Sequence, residues 1–207
     1  RFTGIREDST CIGNIFAGKS FGNTVNVDMR GQGSINLDNT GLFVIGTVLV
    51  GVGGSASIVF SGIPQNFRNL EIRLKGRGDD PGTSILVLLR FNADAGANYD
   101  HAFMQQYGVY GAATFFAANE IRAGVIVAAG GPANSSDELG IQIGDYANVV
   151  SHKTLRASGG FKDGAASIGL RHVVGWWRNV AGITQITLLP GAGLFAQNTV
   201  ATLYGLM

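Results

Sequence analysis

Short aliphatic runs alternate with clusters of glycine, asparagine, aspartate and serine along most of the chain, a rhythm that predicts many short strands joined by tight turns. Strands are predicted near Leu42–Val50, Ser57–Phe60, Asn69–Lys75, Ile85–Phe91, Ile121–Val127, Leu139–Ile143, Lys153–Ser158, Ala166–Val174, Ile183–Leu189 and Val200–Leu206. In Leu70-Glu71-Ile72-Arg73-Leu74-Lys75 every second residue is aliphatic and the others are charged, so this segment should bury one face and wet the other. Ile85-Leu86-Val87-Leu88-Leu89 is apolar throughout and is expected to be covered on both faces. The best helix candidate is the alanine-containing stretch Ala112 to Glu120, although Phe115-Phe116 fits a loop facing a neighbour equally well. With many strands and no alternating long helices, the fold class is all-β: an antiparallel two-sheet sandwich or jelly roll.

Residues 1–40 differ in character. Single apolar residues are interleaved with polar ones, as in Gly33-Ser34-Ile35-Asn36-Leu37-Asp38, and cannot bury much core alone. Either they dock on a partner or they add edge strands to their own domain. The division expected is a glycine-rich docking or assembly segment, 1–47, and a sandwich domain, 48–207, with Gly51-Val52-Gly53-Gly54-Ser55 as the hinge.

Composition narrows the function classes. The 32 glycines in 207 residues are about twice average usage of roughly 7% and have no collagen-like period, which favours turns and disfavours helix interiors. Only 14% of residues are charged and the net charge is +1, so no general field draws in nucleic acid. Few charges and 45% hydrophobic residues suggest that some surface is covered in an assembly. Cys11 is the only cysteine, which excludes an internal disulfide and a cysteine-based zinc site within one chain. From Arg1 onward no stretch reads as a secretion signal, and the most apolar window, Gly41 to Gly54, is too short and glycine-rich to cross a bilayer as a helix.

The motifs offer little chemistry. Gly51-Val52-Gly53-Gly54 follows a strand but precedes another strand, whereas a phosphate loop of that kind needs a helix N-terminus. Asn92-Ala93-Asp94-Ala95-Gly96-Ala97-Asn98 spaces oxygen-bearing side chains like a calcium loop, yet its glycine comes one residue early and no acidic residue closes the sphere near Phe103. It reads as a turn held by Asn and Asp side chains. His101, His152 and His172 are far apart and match no catalytic spacing. Asp79-Asp80 before Pro81-Gly82 reads as a turn. Asn134-Ser135-Ser136 is a formal glycosylation triplet without a secretory context. Trp176-Trp177-Arg178 is the most informative cluster, because tryptophan and arginine dominate interfaces and stack on sugars. In an alternating strand one tryptophan belongs to the core and the other is free for contact.

Taken in order, several segments resemble a domain widespread in tailed-bacteriophage structural proteins, often the C-terminal part of tail fibres. They are Phe60-Ser61-Gly62-Ile63-Pro64, Leu88-Leu89-Arg90-Phe91-Asn92 leading to Asp94, Gly96, Asn98 and Tyr99, then Ile143-Gly144-Asp145-Tyr146-Ala147-Asn148 and Trp176-Trp177-Arg178. Ala181 through Leu188, Phe195-Ala196 and Leu203-Tyr204-Gly205-Leu206 complete the series. The resemblance covers residues 48 to 207 approximately and lies in order and spacing rather than in one diagnostic site. It implies a virion structural protein assembled in the host cytoplasm, a homotrimer displayed on the particle, without enzyme activity or cofactor.

The expected function is therefore a fibre or tail component for assembly and host-surface contact. A capsid-anchored head fibre or decoration protein is the alternative, and a lectin or glycan-degrading enzyme a further one. Expected partners are other copies of the chain, other virion proteins through residues 1–40, and a host-surface glycan, with no nucleic acid and no membrane. No catalytic, cofactor or metal residues are assigned. The candidate contact residues are Trp176, Trp177, Arg178, Asn92, Asp94, Asn98 and Tyr99.

Overall fold

The structure, a computed structural model, describes residues 41–164 and 167–207. The expected docking role of residues 1–40 lies outside the described residues. Twelve strands follow one another: β1 Leu42–Leu49, β2 Ile58–Ser61, β3 Asn69–Gly76, β4 Ser84–Phe91, β5 Tyr99–Tyr107, β6 Val109–Ala118, β7 Ile121–Val127, β8 Asp137–Gly144, β9 Lys153–Lys162, β10 Ile168–Trp177, β11 Gln185–Pro190 and β12 Val200–Leu206. β1 runs across position 47, where the division into segment and sandwich was expected, and the Gly51–Ser55 stretch forms the turn after it. Gly53 and Gly54 there both take positive φ, the region glycine enters without steric cost.

The strands form a sandwich of two unequal antiparallel sheets. The large sheet runs β1-β12-β3-β8-β9-β10-β5-β6 and the small one β2-β11-β4-β7. The alternation read in β3 holds: Leu70, Ile72 and Leu74 are buried while Arg73 and Lys75 are exposed. Their aliphatic row continues across the large sheet through Leu139, Ile141 and Ile143 of β8, because antiparallel register aligns residues of one face. Against it pack Ile58 and Phe60 of β2, Ile186 and Leu188 of β11, and Val87, Leu89 and Phe91 of β4, forming one core.

Two expectations are corrected. β4 is interior to the small sheet, but Leu86 and Leu88 are only half-buried, so its apolar run is covered fully on one face. The strand buried nearly throughout is β7, which lies against β8, β9 and β10 of the large sheet. Its close approach depends on Gly124, where a Cβ would stand 2.5 Å from a Leu139 methyl. The second concerns Ala112 to Glu120, which the sequence left open between a helix and a loop and which is neither: most of it belongs to β6, which turns back on β5 at Gly108, a residue of positive φ. Helix propensity in the alanine run is overridden by pairing along the whole of β5.

β7 is the last strand of the small sheet, and beyond it the large sheet continues through β5 and β6. The inner face of that overhang is lined by a different chemistry. Arg171 lies over the Phe103 ring at 3.6 Å, Arg122 over Phe115 at 4.4 Å, and His101 stacks on Phe115 at 4.8 Å.

Candidate functional site

The candidate contact residues are brought together, but mostly as a structural latch. The 92–98 turn and the end of β10 meet at one end of the sandwich. Asp94 is its hub. One carboxylate oxygen accepts the Gly96 N–H at 2.8 Å and the other accepts the Trp177 indole N–H at 2.7 Å, while the Asn98 amide donates to both. Burial works to raise the Asp94 pKa, yet the bonds from Trp177, Gly96 and Asn98 outweigh it and hold the carboxyl below its ordinary value. The turn is thus held by its own Asn and Asp side chains.

Tyr99 is fully buried, accepts the Phe91 N–H and donates to the Asp94 carbonyl at 3.0 Å. Its hydroxyl pKa is raised, chiefly by burial. Asn92, at positive φ, reaches across to β11: its amide donates to the Gly182 carbonyl and its oxygen accepts the Thr184 and Gln185 N–H groups. Arg178 pairs with Asp100 at 3.0 Å and donates to the Ala97 carbonyl. Trp177, 1% exposed, packs on Phe91 and Tyr99, whereas Trp176, 44% exposed, faces solvent. The strand alternation therefore assigns the core role to Trp177 and leaves Trp176 for contact.

Around Trp176 the outer face of the large sheet is open. Register places rows of side chains across it: Arg73, Gly140, Ser158, His172, Met104 and Ala112 in one, and Glu71, Gln142, Arg156, Val174, Ala102 and Thr114 in the next. Small residues at Gly140, Ser158, Ala102 and Ala112 leave a furrow between taller neighbours. A groove of about 660 Å³ follows these rows, and a second of about 590 Å³ adjoins it at Gln142, Arg156 and Val174, with Trp176 on its wall.

The two sides of this face differ. On β3, β8 and β9 it is charged and polar: Glu71 pairs with Arg73, and Arg156 bonds Gln142 at 3.2 Å. On β10, β5 and β6 it exposes Ile168, Leu170, Val174, Trp176, Met104, Tyr110 and Phe116. Seven large apolar side chains exposed on one face exceed the singly scattered ones of an ordinary surface.

Sequence reasoning missed the buried polar groups. Lys153 is buried and its ammonium donates to the Ser151 and Val180 carbonyls, and burial lowers its pKa. Arg77 gathers the 129–135 loop, donating to the carbonyls of Ala129, Gly131, Pro132 and Ser135. Neither has a sequence motif, since main-chain oxygens, near as at Ser151 or far as at Val180 and the 129–135 loop, carry no residue signature. Of the three histidines, His101 is buried with neither ring nitrogen hydrogen-bonded, and burial, then Arg122 and Arg171, push its pKa down to about 4. His172 lies on the groove. Among the described residues no group of three or more His, Cys, Asp or Glu side chains is placed to hold a metal ion. Comparisons with protein-family models, with curated proteins and with solved structures find no match to this chain.

Proposed function

We propose that the chain is a structural component of a bacteriophage virion, a fibre or tail protein that works by contact rather than by catalysis. The observation that carries this reading is the apolar outer face of β10, β5 and β6, where Ile168, Leu170, Val174, Trp176, Met104, Tyr110 and Phe116 lie together in solvent. A chain with only 14% charged residues is poorly protected against association through such a face. Copies arranged about a symmetry axis would cover it, which suits the trimer that the family resemblance implies. The ordered segments from Phe60 to Leu206 that resemble tail-fibre domains support the virion setting, with a capsid-anchored decoration protein as the other placement.

Two measurements test it together. Light scattering of the purified chain should give an assembly of several 21.6 kDa chains, and antibodies to the chain should label purified phage particles in electron micrographs. A monomer that stays dispersed on concentration and labels no particle overturns the proposal. A second reading, glycan contact, is favoured by the groove beside Trp176, where an exposed indole adjoins Asn69, Gln142, Thr154 and Arg156. Glycan-array binding that disappears on Trp176→Ala would support it, and an array without signal removes it.

A further inference from the structure

A sandwich has sheet edges, and their backbone N–H and C=O groups must be shielded or used. The edges here are β1 and β6 of the large sheet and β2 and β7 of the small one. β2 is four residues long, β7 is buried at nearly every position, and β1 begins at the border of the described residues. β6 is different. It has ten residues, VYGAATFFAA, with no charge and no proline, and only β5 pairs with it among the described residues. Val109, Tyr110 and Phe116 on it are 77%, 68% and 76% exposed. It has no lysine, no proline and no shortness to protect it, and its one irregularity, a bulge at Phe116 and Ala117 opposite Asp100, lies near its C-terminal end.

We infer that β6 is an assembly edge and pairs antiparallel with β6 of a second copy of the chain, about a two-fold axis at Ala113. The order of side chains points to self-pairing. From Tyr110 to Phe116 the strand reads large, small, small, small, small, large, large. Centring the axis on Ala113 sets Ala112 opposite Thr114, Gly111 opposite Phe115, and Tyr110 opposite Phe116 of the second copy, each pair on one face of the sheet. Each exposed ring then covers another ring, and each phenylalanine of the inner face lies over a glycine. Thr114 and Phe116 share the outer face with Trp176 and Asp100, so the joined sheet extends the apolar face described above.

The ring pairs supply part of the area such a contact needs. A fully buried aromatic side chain covers roughly 150–250 Å², so the exposed parts of Tyr110 and Phe116 amount to at most about 300 Å² per copy. The rest of the ~800 Å² per partner of a stable standard interface would come from Val109 and the backbone edge. Charge does not oppose the approach, because β6 has none.

This inference stands apart from the virion reading. An edge contact doubles whatever assembly other surfaces make: two chains if there is none, six if there is a trimer. The test is the native mass, by light scattering and sedimentation, of the full chain and two variants altered only at the exposed positions Ala112 and Thr114. Ala112→Lys with Thr114→Lys places like charges opposite each other twice across the axis, and should halve the mass. Ala112→Lys with Thr114→Glu places opposite charges there and should restore it. Circular dichroism and thermal unfolding of both variants should match the parent, showing that the fold is intact. A parent mass corresponding to one or three chains, a lysine pair that leaves the mass unchanged, or a Lys/Glu pair that fails to restore it would each overturn the inference.

Discussion

The two halves of the large sheet solve the same burial problem with different chemistry. Where β3 and β8 face the small sheet, both layers supply aliphatic side chains and the outer surface is charged, with Arg73, Lys75 and Glu138 in water and Glu71 half-buried in its pair with Arg73. Past β7 the second layer ends, and the inner face of β10, β5 and β6 is closed by Arg171 on Phe103, Arg122 on Phe115 and His101 on Phe115. There the outer surface is apolar. The first half resembles a self-sufficient domain. The second buries polar groups, Arg171 and His101, among its inner aromatic rings and exposes apolar side chains beside Asp100, Gln106 and His172 on its outer face, more apolar exposure than an ordinary surface carries.

The sharpest way to break this contrast is at the tryptophan pair, where adjacent residues serve opposite sides. Trp177→Ala should cost about 3–5 kcal/mol of stability through cavity formation and the lost Asp94 bond, whereas Trp176→Ala should leave stability within about 0.5 kcal/mol. Urea unfolding of the two variants measures both. Similar losses would mean that the outer tryptophan also belongs to the core.

The polar interior of the overhang predicts a pH dependence that the aliphatic half lacks. The His101 pKa is depressed in the fold to about 4 from its ordinary 6.5, chiefly by burial. Between those values the unfolded chain binds the proton and the folded one does not, so stability is full above about pH 6.5 and is lost as pH falls toward 4. The shift corresponds to a loss of order 3 kcal/mol. His101→Phe, which keeps a ring against Phe115, should flatten the stability profile in that window. An unchanged profile would assign the titration elsewhere.

A smaller effect sharpens the aliphatic side. Gly124→Ala should cost about 1–3 kcal/mol, because its new methyl meets Leu139 at 2.5 Å and β7 must retreat from β8. Smallest of all, Ile168→Ser and Leu170→Ser on the outer face should change stability by no more than about 0.5 kcal/mol while lowering the assembly mass. The combination of unchanged melting and reduced mass distinguishes a contact surface from a core.

The aliphatic half was legible in the sequence because its signal is local: Leu70, Ile72 and Leu74 alternate with charges, and β3 follows that pattern. The tryptophan alternation was legible for the same reason. β5 and β6 were not, since Asp100-His101-Ala102-Phe103-Met104-Gln105-Gln106 has few β-branched residues and sets polar and apolar side chains on both faces, so no alternation marks which one is buried. The latch was half visible. Asp94 and Asn98 announced a turn, but the bond from Asp94 to Trp177 joins residues 83 positions apart, and no local spacing encodes it. The β4 run misled because apolar content alone does not separate a strand covered twice from one covered once.

The opposed tryptophans also give the molecule two optical reporters with separate duties. Trp177, dry and bonded to a carboxylate, should emit toward the blue and resist quenching by iodide until the chain unfolds. Trp176 should emit toward the red and lose its accessibility to iodide when the outer face is covered. Folding and docking are thereby readable in one cuvette, from one unlabelled chain, at two wavelengths.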